Sequence, residues 1–206
     1  MPRVDIDRLT AELQQRSIRC LVIGGSFGAV DALKDLLPAL GKHTPFAVVV
    51  VLHLAADRPN LMPSLLRDHV QLPIHDVEAG EPAHPGSIYI APPDYHVAVE
   101  SGGILSLSTE EPVHFSRPSI DVLFDSAAHA YGAQTWGILL TGANADGAEG
   151  LQMIHSAGGF TTVQDPDDAK APEMPRAALE RFEPTCLATL AELRALLISA
   201  TGGTEC

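Results

Sequence analysis

The fold of this chain is decided by one stretch, Cys20-Leu21-Val22-Ile23-Gly24-Gly25-Ser26-Phe27-Gly28-Ala29-Val30. An apolar run ends in a glycine-rich turn that holds one serine, and apolar residues at helical spacing follow. The pattern predicts a strand, a tight turn and a helix, with Ser26 at the corner. Residues 24–28 match G-x-S-x-G, the sequence of a nucleophile elbow, whose glycines allow a sharp corner. The amides that open the next helix can then bind a developing oxyanion.

Two other interpretations compete for this stretch. A dinucleotide-binding turn needs G-x-G-x-x-G, but Ser26 occupies the second glycine position. It also needs an acidic residue after the next strand, and that strand ends in His53. A plain strand–helix turn, in which Ser26 only caps the helix, stays open on the motif alone, because short motifs often occur without function.

The composition limits the fold and the class of partner. A chain of 206 residues and 21.8 kDa is long enough for one α/β domain with a full core. Hydrophobic residues make up 46% and aromatic residues only 5%, so the core consists mainly of small aliphatic side chains, as in parallel sheets. The formal net charge of −13 argues against binding to nucleic acid or to an anionic membrane.

The cysteines and the chain start indicate a compartment. Cys20, Cys186 and Cys206 are odd in number and widely spaced, which argues against a disulfide framework and a zinc site. A reducing cytoplasm is therefore the expected location. The first residues lack a signal-peptide core, and the longest apolar run, residues 46–52, is too short to span a bilayer.

Alternation of strand and helix patterns predicts an α/β fold, a doubly wound, mostly parallel sheet flanked by helices. Around residues 87–107 the strands are short and the turn Ser101-Gly102-Gly103 predicts an antiparallel hairpin or edge. We expect residues 1–17 to form an N-terminal arm or helix outside the core. A single catalytic domain is expected over residues 18–199, with a C-terminal tail at 200–206.

Three chemically suitable residues follow three of the predicted strands. Ser26 ends the first, His53 ends the second, and Asp146 lies just beyond the third. Open α/β sheets place their sites at the carboxyl ends of strands. A serine nucleophile needs a histidine base, and the base needs a carboxylate that orients it. The chain order Ser…His…Asp differs from the Ser…Asp…His order of the α/β-hydrolases.

Each of these residues also has an ordinary structural explanation. Asp146 fits the N-cap of the following helix, paired with Glu149 in a capping box. His53 is one of nine histidines, and a single histidine after an apolar strand is commonly structural. The coincidence of three strand ends favours a site for acyl transfer.

Several further segments, in the same order along the chain, make a family resemblance specific. They are Val22-Ile23-Gly24-Gly25-Ser26, Leu52-His53, Ile90-Ala91-Pro92-Pro93-Asp94-Tyr95-His96, Arg117-Pro118-Ser119-Ile120-Asp121-Val122-Leu123-Phe124, Leu140-Thr141-Gly142 with Asp146-Gly147-Ala148, and Met174-Pro175-Arg176. Over about residues 18–199 the chain resembles the catalytic domain of CheB, the bacterial chemoreceptor methylesterase family.

The resemblance implies a function and a set of site residues. The family hydrolyses glutamyl methyl esters on the cytoplasmic helices of chemoreceptors and releases methanol, and many members also deamidate receptor glutamines. Its catalytic serine, histidine and aspartate match Ser26, His53 and Asp146. By position, the backbone amides of Phe27 and Ala143 are the expected oxyanion donors. The resemblance implies a methylated chemoreceptor as partner and neither cofactor nor metal.

Three segments depart from the family pattern. The usual Ser-Thr-Gly-Gly is replaced by Ser26-Phe27-Gly28-Ala29, and His-Met-Pro by His53-Leu54-Ala55. Gly-Met-Gly-Asn-Asp-Gly is replaced by residues 142–147, which read GANADG. All three changes border the expected site and spare the triad. They predict retained chemistry and leave the substrate preference open.

The sequence allows two modes of regulation and three classes of function. The family commonly carries an N-terminal receiver domain, and the residues before the first strand are too few for one. Control therefore comes from a separate receiver protein, or the site is constitutively open. The leading hypothesis is a receptor methylesterase. The alternatives are a serine hydrolase of the same fold with another ester or amide substrate, and a non-catalytic module that binds a signalling partner.

Overall fold

A computed structural model describes residues 5–53 and 61–202. Seven parallel strands form the main sheet, in the spatial order β3-β4-β2-β1-β7-β8-β9. Their bounds are β1 Cys20–Gly25, β2 Ala47–Leu52, β3 Ile74–Asp76, β4 Ile88–Ile90, β7 Thr135–Leu139, β8 Phe160–Gln164 and β9 Cys186–Ala188. Two further strands, β5 His96–Val99 and β6 Leu105–Ser108, pair with each other.

The first strand of the chain lies at the centre of the sheet. β1 pairs with β2 on one side and with β7 on the other, and all residues of these three strands are buried. A strand covered on both faces needs apolar residues throughout, which explains the unbroken apolar runs in the sequence. From β1 the chain first adds strands on one side of the sheet, β2, β4 and β3, and later adds β7, β8 and β9 on the other side. Binding sites of open α/β sheets lie at such a reversal of strand order.

Helices cover both faces of the sheet. One face is packed against the helices α1 Ile6–Arg16, α2 Ala29–Leu36, α3 Met62–Arg67 and α7 Leu190–Thr201. The other face is packed against α4 Ile120–Tyr131, α5 Ala148–Ser156 and α6 Glu173–Arg181. The predicted fold class, a doubly wound parallel sheet flanked by helices, is confirmed. α7 begins with the capping box that its sequence predicts, formed by Thr189 and Glu192.

The N-terminal helix belongs to the core. Leu9 and Leu13 of α1 are buried in the same apolar cluster as Leu193 and Leu197 of α7. The expectation that residues 1–17 lie outside the core is therefore corrected, because α1 presents apolar residues at helical spacing that need a covered face. Residues 1–4 and 203–206 lie outside the described ranges, and the division into an arm, a domain and a tail stays a prediction.

The predicted hairpin is present, but it does not extend the main sheet. β5 and β6 pair in antiparallel fashion, and Gly102 and Gly103 form their turn with φ of 81° and 82°. The hairpin packs on α4, where Ser126 Oγ accepts a hydrogen bond of 3.0 Å from the Val99 N–H. β4, which the sequence grouped with the hairpin, instead pairs in parallel with β2 and β3.

Candidate active site

Ser26 lies in a tight turn directly after β1. Its N–H donates to the Thr141 carbonyl oxygen at 2.9 Å, and its own carbonyl accepts from the Ala29 N–H at 3.0 Å, where α2 begins. Gly28 has φ of 86°, a backbone conformation that favours glycine. A Cβ on Gly25 would approach the Ala29 Cβ to 2.6 Å. The strand can therefore turn into α2 this closely only with glycine at these positions.

His53 occupies the corresponding position after β2. Leu52, its predecessor, pairs with Gly25, the predecessor of Ser26. The His53 N–H also donates to the Gly25 carbonyl oxygen at 3.3 Å. Adjacent parallel strands are about 4.8 Å apart. The register therefore brings the turn with Ser26 and the half-buried His53 to neighbouring positions at one edge of the sheet.

Asp146 is fully buried and forms the closest contact with His53. Its Oδ2 lies 2.7 Å from His53 Nε2. The same oxygen accepts from the Ile120 N–H at 2.8 Å, while Oδ1 accepts from Ser119 Oγ at 2.8 Å and from the Asp121 N–H at 3.0 Å. Four donors therefore fix this carboxylate in one orientation.

The carboxylate of Asp146 caps a different helix from the one its sequence position suggests. The N-cap of α5 is Gly147, with no side-chain cap, so the alternative role of Asp146 in a capping box with Glu149 is wrong. Asp146 instead accepts from the first amides of α4. Ser119 precedes α4 as its N-cap residue, and its hydroxyl donates to Asp146 rather than capping the helix.

The surroundings of Asp146 favour its ionised form. Burial alone raises the pKa of this carboxyl group. The hydrogen bond with His53 and those from the amides of Ile120 and Asp121 outweigh burial, so its pKa lies below the ordinary 3.8. Asp121 shows the opposite shift, because burial and the neighbouring charge of Asp146 raise its pKa to about 6. Asp146 is therefore the ionised member of this pair near neutral pH.

The second ring nitrogen of His53 has two polar neighbours that sequence reasoning did not identify. Asn144 Nδ2 lies 3.4 Å from Nδ1, and Ser116 Oγ lies 3.5 Å from it. In residues 5–53 and 61–202, no hydrogen bond joins Ser26 Oγ to His53. The sequence signal for Asn144 is its place in residues 142–147, which depart from the family pattern beside the expected site. Asn-x-Asp spacing is also typical of a turn closed by an asparagine side chain.

Ser116 is placed by a strained turn. Val113 and Ser116 exchange backbone hydrogen bonds of 3.1 and 2.8 Å around His114 and Phe115, whose φ values are 48° and 61°. Positive φ at two non-glycine residues costs of order 1 kcal/mol or more each. The following Arg117 anchors the turn, since its guanidinium donates to Asp94 at 2.6 and 3.0 Å. The contacts of Arg117 with Asp94 therefore help to hold the turn in this strained conformation.

Two backbone amides near Ser26 have no partner in the described ranges. Neither the Phe27 N–H nor the Ala143 N–H donates to another described residue. A buried network holds both loops in place. Thr141 Oγ1 lies 3.0 Å from the Phe27 carbonyl oxygen, to which it can donate, and the Thr141 N–H donates to Gln164 at 2.9 Å. The two amides are thus available to a ligand.

Metal-binding clusters and membrane-spanning helices are both absent from the described residues. No group of three or more His, Cys, Asp or Glu side chains within residues 5–53 and 61–202 can hold a metal ion. None of the helices in those ranges is both long and apolar enough to cross a membrane. Leu54 and Ala55, which depart from the family pattern beside His53, lie outside the described ranges.

This fold and this geometry define a class, an α/β enzyme with polar groups gathered at the carboxyl ends of a parallel sheet. The family model described as CheB methylesterase matches residues 21–197. The chain belongs to the CheB methylesterase family. The expected family and enzyme class are therefore confirmed.

Individual relatives agree with this assignment. A Leptospira interrogans protein, provisionally named protein-glutamate methylesterase/protein-glutamine glutaminase, is 39% identical over 86% of this chain and 92% of its own length. The Nitrosospira multiformis protein-glutamate methylesterase/protein-glutamine glutaminase is 34% identical over 87% of this chain, which spans 50% of that protein. The crystal structure of the Thermotoga maritima CheB methylesterase catalytic domain superposes with a TM-score of 0.84 at 28% identity, covering 88% of this chain and 98% of that one.

Proposed function

We propose that this chain hydrolyses glutamate methyl esters on a methylated chemoreceptor or similar signalling protein, with Ser26, His53 and Asp146 as its catalytic triad. One observation carries the proposal. The 2.7 Å contact of His53 with the buried, ionised Asp146 lies at the strand end beside the turn that holds Ser26. A serine, a base and an orienting carboxylate are the groups that acyl transfer needs.

The contact with Asp146 assigns the roles of the two ring nitrogens. Asp146 is an acceptor when ionised, so His53 Nε2 carries the proton that faces it. Nδ1 is then the unprotonated nitrogen that accepts the proton of Ser26 as its Oγ attacks the ester carbonyl. The resulting imidazolium is stabilised by the carboxylate of Asp146.

The oxygen that gains negative charge needs donors already in place. The N–H groups of Phe27 and Ala143 donate to no other described residue, which supports the role in an oxyanion hole that their positions predict. Donors of this kind typically contribute about 3 kcal/mol each to transition-state stabilisation. Collapse of the intermediate breaks the bond from carbon to the methoxy oxygen, which takes the proton from His53 and leaves as methanol, so an acyl ester remains on Ser26.

The second half of the reaction repeats the first with water. His53 Nδ1 accepts a proton from the attacking water, the acyl–oxygen bond to Ser26 breaks, and Ser26 recovers its proton. A glutamate side chain and a free enzyme result. The same steps on a glutamine amide release ammonia, which corresponds to the glutaminase activity that the relatives' names include.

The remaining parts of the proposal concern partners and location. A protein substrate fits a site at the carboxyl ends of the strands, where the Phe27 side chain beside Ser26 is 67% exposed. The proposed location is the cytoplasm, where two buried thiols, Cys20 and Cys186, remain reduced. A separate receiver protein is the proposed regulator.

The test is methanol release from a methylated chemoreceptor fragment. Wild type should release methanol, and Ser26→Ala should lose several orders of magnitude in rate. Ser156→Ala is the matched control, because this exposed serine of α5 donates only to the Gln152 carbonyl oxygen at 2.9 Å, within its own helix.

Two results would change the proposal. Turnover of small esters by wild type without methanol release from receptor would indicate a hydrolase with another substrate. No turnover of either class, with receptor binding unaffected by Ser26→Ala, would indicate a non-catalytic binding module.

A further inference from the structure

The carboxamide of Asn144 contacts both His53 and Asp146, the two residues that form the closest contact in the site. Its Oδ1 accepts from the Asp146 N–H at 3.2 Å, and its Nδ2 lies 3.4 Å from His53 Nδ1. Asn144 is half-buried in the loop between β7 and α5. One side chain therefore links the backbone that carries the carboxylate to the nitrogen that acts as base.

The first of these contacts fixes the polarity of the second. The Asp146 N–H can only donate, so the oxygen of the Asn144 carboxamide faces it. The NH₂ group then faces His53 Nδ1, and an NH₂ group can only donate. This arrangement is favourable when Nδ1 presents a lone pair, and two donors oppose each other when Nδ1 carries a proton.

We propose that Asn144 is a positioning residue that keeps Nδ1 of His53 unprotonated and available as the base. The proposal rests on the proposed function, in which Nδ1 accepts the proton of Ser26. The Asp146 carboxylate faces Nε2 and accepts its proton, while the NH₂ group of Asn144 faces Nδ1 and needs a lone pair there.

The distance suits such a role. At 3.4 Å the contact is longer than an ordinary hydrogen bond, which lies at about 2.7 to 3.2 Å. It is therefore weak, and the Ser26 hydroxyl can displace it at little cost when the substrate binds. Ser116, the other neighbour of Nδ1, sets no polarity because its hydroxyl can donate or accept.

Few charged groups face His53 in the described part of the chain. The carboxylate of Asp146 contacts Nε2 of His53. The Asp121 N–H donates to Asp146, and the Asp121 carboxylate lies 3.4 Å from His114. Nδ1 faces the neutral side chains of Asn144 and Ser116. A new charge at position 144 therefore acts on Nδ1 more directly than the charges already present.

Asn144→Asp separates this role from a structural one. A carboxylate at position 144 keeps an oxygen for the Asp146 N–H, so the turn is retained, but it replaces the donor that faces Nδ1 with a negatively charged acceptor. Protonated His53 is then stabilised from both sides. We expect the acid limb of the pH–rate profile for methanol release to move up by about one pH unit or more. kcat should recover at alkaline pH, and KM should change little.

A second measurement does not require turnover. Nitrogen-15 NMR of labelled histidine follows the titration of His53 directly, with its signal assigned by loss in His53→Gln. In Asn144→Asp the midpoint of the His53 titration should move to higher pH, as the acid limb of the pH–rate profile does. Gln14→Glu is the control for added charge, because Gln14 is exposed on α1 and borders a cleft at the amino ends of the strands.

The outcomes are distinct. An Asn144→Asp variant that is folded and titrates at His53 as wild type does would overturn the proposal and leave Asn144 with a structural role. If wild type shows no methanol release but the NMR titration moves as expected, the proposed function fails and the electrostatic role of Asn144 stands.

Discussion

Nε2 of His53 lies 2.7 Å from Oδ2 of the buried Asp146. The carboxylate cannot move to another partner, because it also accepts from the first amides of α4. The ring is therefore held by a carboxylate that the first amides of α4 fix in place. This relationship makes Nδ1 the reactive nitrogen, and it couples the chemistry of the site to the stability of the fold.

The first prediction concerns which hydroxyl is the nucleophile. Ser116 Oγ lies 3.5 Å from His53 Nδ1, whereas Ser26 lies in the turn that opens α2 beside the unpartnered Phe27 amide. Ser26 lies at the strand end next to that of His53 and beside the expected oxyanion donors, and Ser116 lies beside none of them. We expect Ser26→Ala to lose at least about 10³-fold in kcat, and Ser116→Ala to stay within about tenfold of wild type.

Single-turnover trapping provides the check. A fluorophosphonate probe should label wild type and Ser116→Ala, and peptide mapping should place the label on Ser26. A label on Ser116, or loss of labelling in Ser116→Ala alone, contradicts the assignment.

A second prediction follows from the double role of Asp146. Asp146→Ala removes the acceptor of four donors and leaves the Ile120 and Asp121 amides without their partner. We expect a loss of about 2 to 4 kcal/mol in the free energy of unfolding, from the lost cap and unsatisfied donors. Ser26→Ala should change it by less than about 0.5 kcal/mol, because it removes only a turn hydroxyl.

Urea unfolding followed by circular dichroism measures the free energy of unfolding of Asp146→Ala and of Ser26→Ala. Equal stabilities for Asp146→Ala and Ser26→Ala would mean that the carboxylate does not support α4.

The central fold and the three strand ends could be predicted from the sequence because local signals determine them. Largely apolar runs form β1, β2 and β7, and each run gives way to glycine or to a polar residue. Parallel strands then gather their carboxyl ends without further information. Ser26, His53 and Asp146 were found in this way.

Other features depend on packing that a sequence does not display. Asp146 precedes α5 along the chain, but α4 lies across the end of β7, so Asp146 caps α4 instead. Ser116 reaches His53 only because a turn with two positive φ values is anchored by Arg117. β9 has three residues, too few for periodicity to distinguish it from a loop.

A third prediction concerns acid stability. The pKa of Asp146 is below its ordinary value of 3.8 in the folded chain, so the unfolded chain binds its proton more readily. The contribution of Asp146 to stability is present above pH 3.8 and is lost as pH falls through the lower folded value. The stability difference between wild type and Asp146→Asn should therefore shrink on acidification below pH 3.8. Urea unfolding over a pH series tests this, and a constant difference contradicts it.

A fourth prediction has the opposite sign and concerns Asp121. Burial and the charge of Asp146 raise its folded pKa from 3.8 to about 6, so folding favours the neutral acid. Its contribution to stability is fully present below pH 3.8 and is lost as pH rises through about 6. Asn at this position stays neutral and keeps an oxygen for the Gly150 N–H, which donates to Asp121 Oδ1 at 2.6 Å. Asp121→Asn should therefore gain stability relative to wild type as pH rises from 3.8 to above 6.

The comparison of interest is the change with pH, because Asp121→Asn can also carry a constant offset. Asp125→Asn is the matched control, since Asp125 is a half-buried carboxylate one helical turn further along α4, 3.5 Å from His129 and away from Asp146. Parallel stability curves for wild type and Asp121→Asn would show that Asp121 ionises freely in the folded chain. A gain confined to Asp121→Asn would show instead that the carboxylate pair at the start of α4 holds one charge rather than two. That single charge is the one that Asp146 presents to His53.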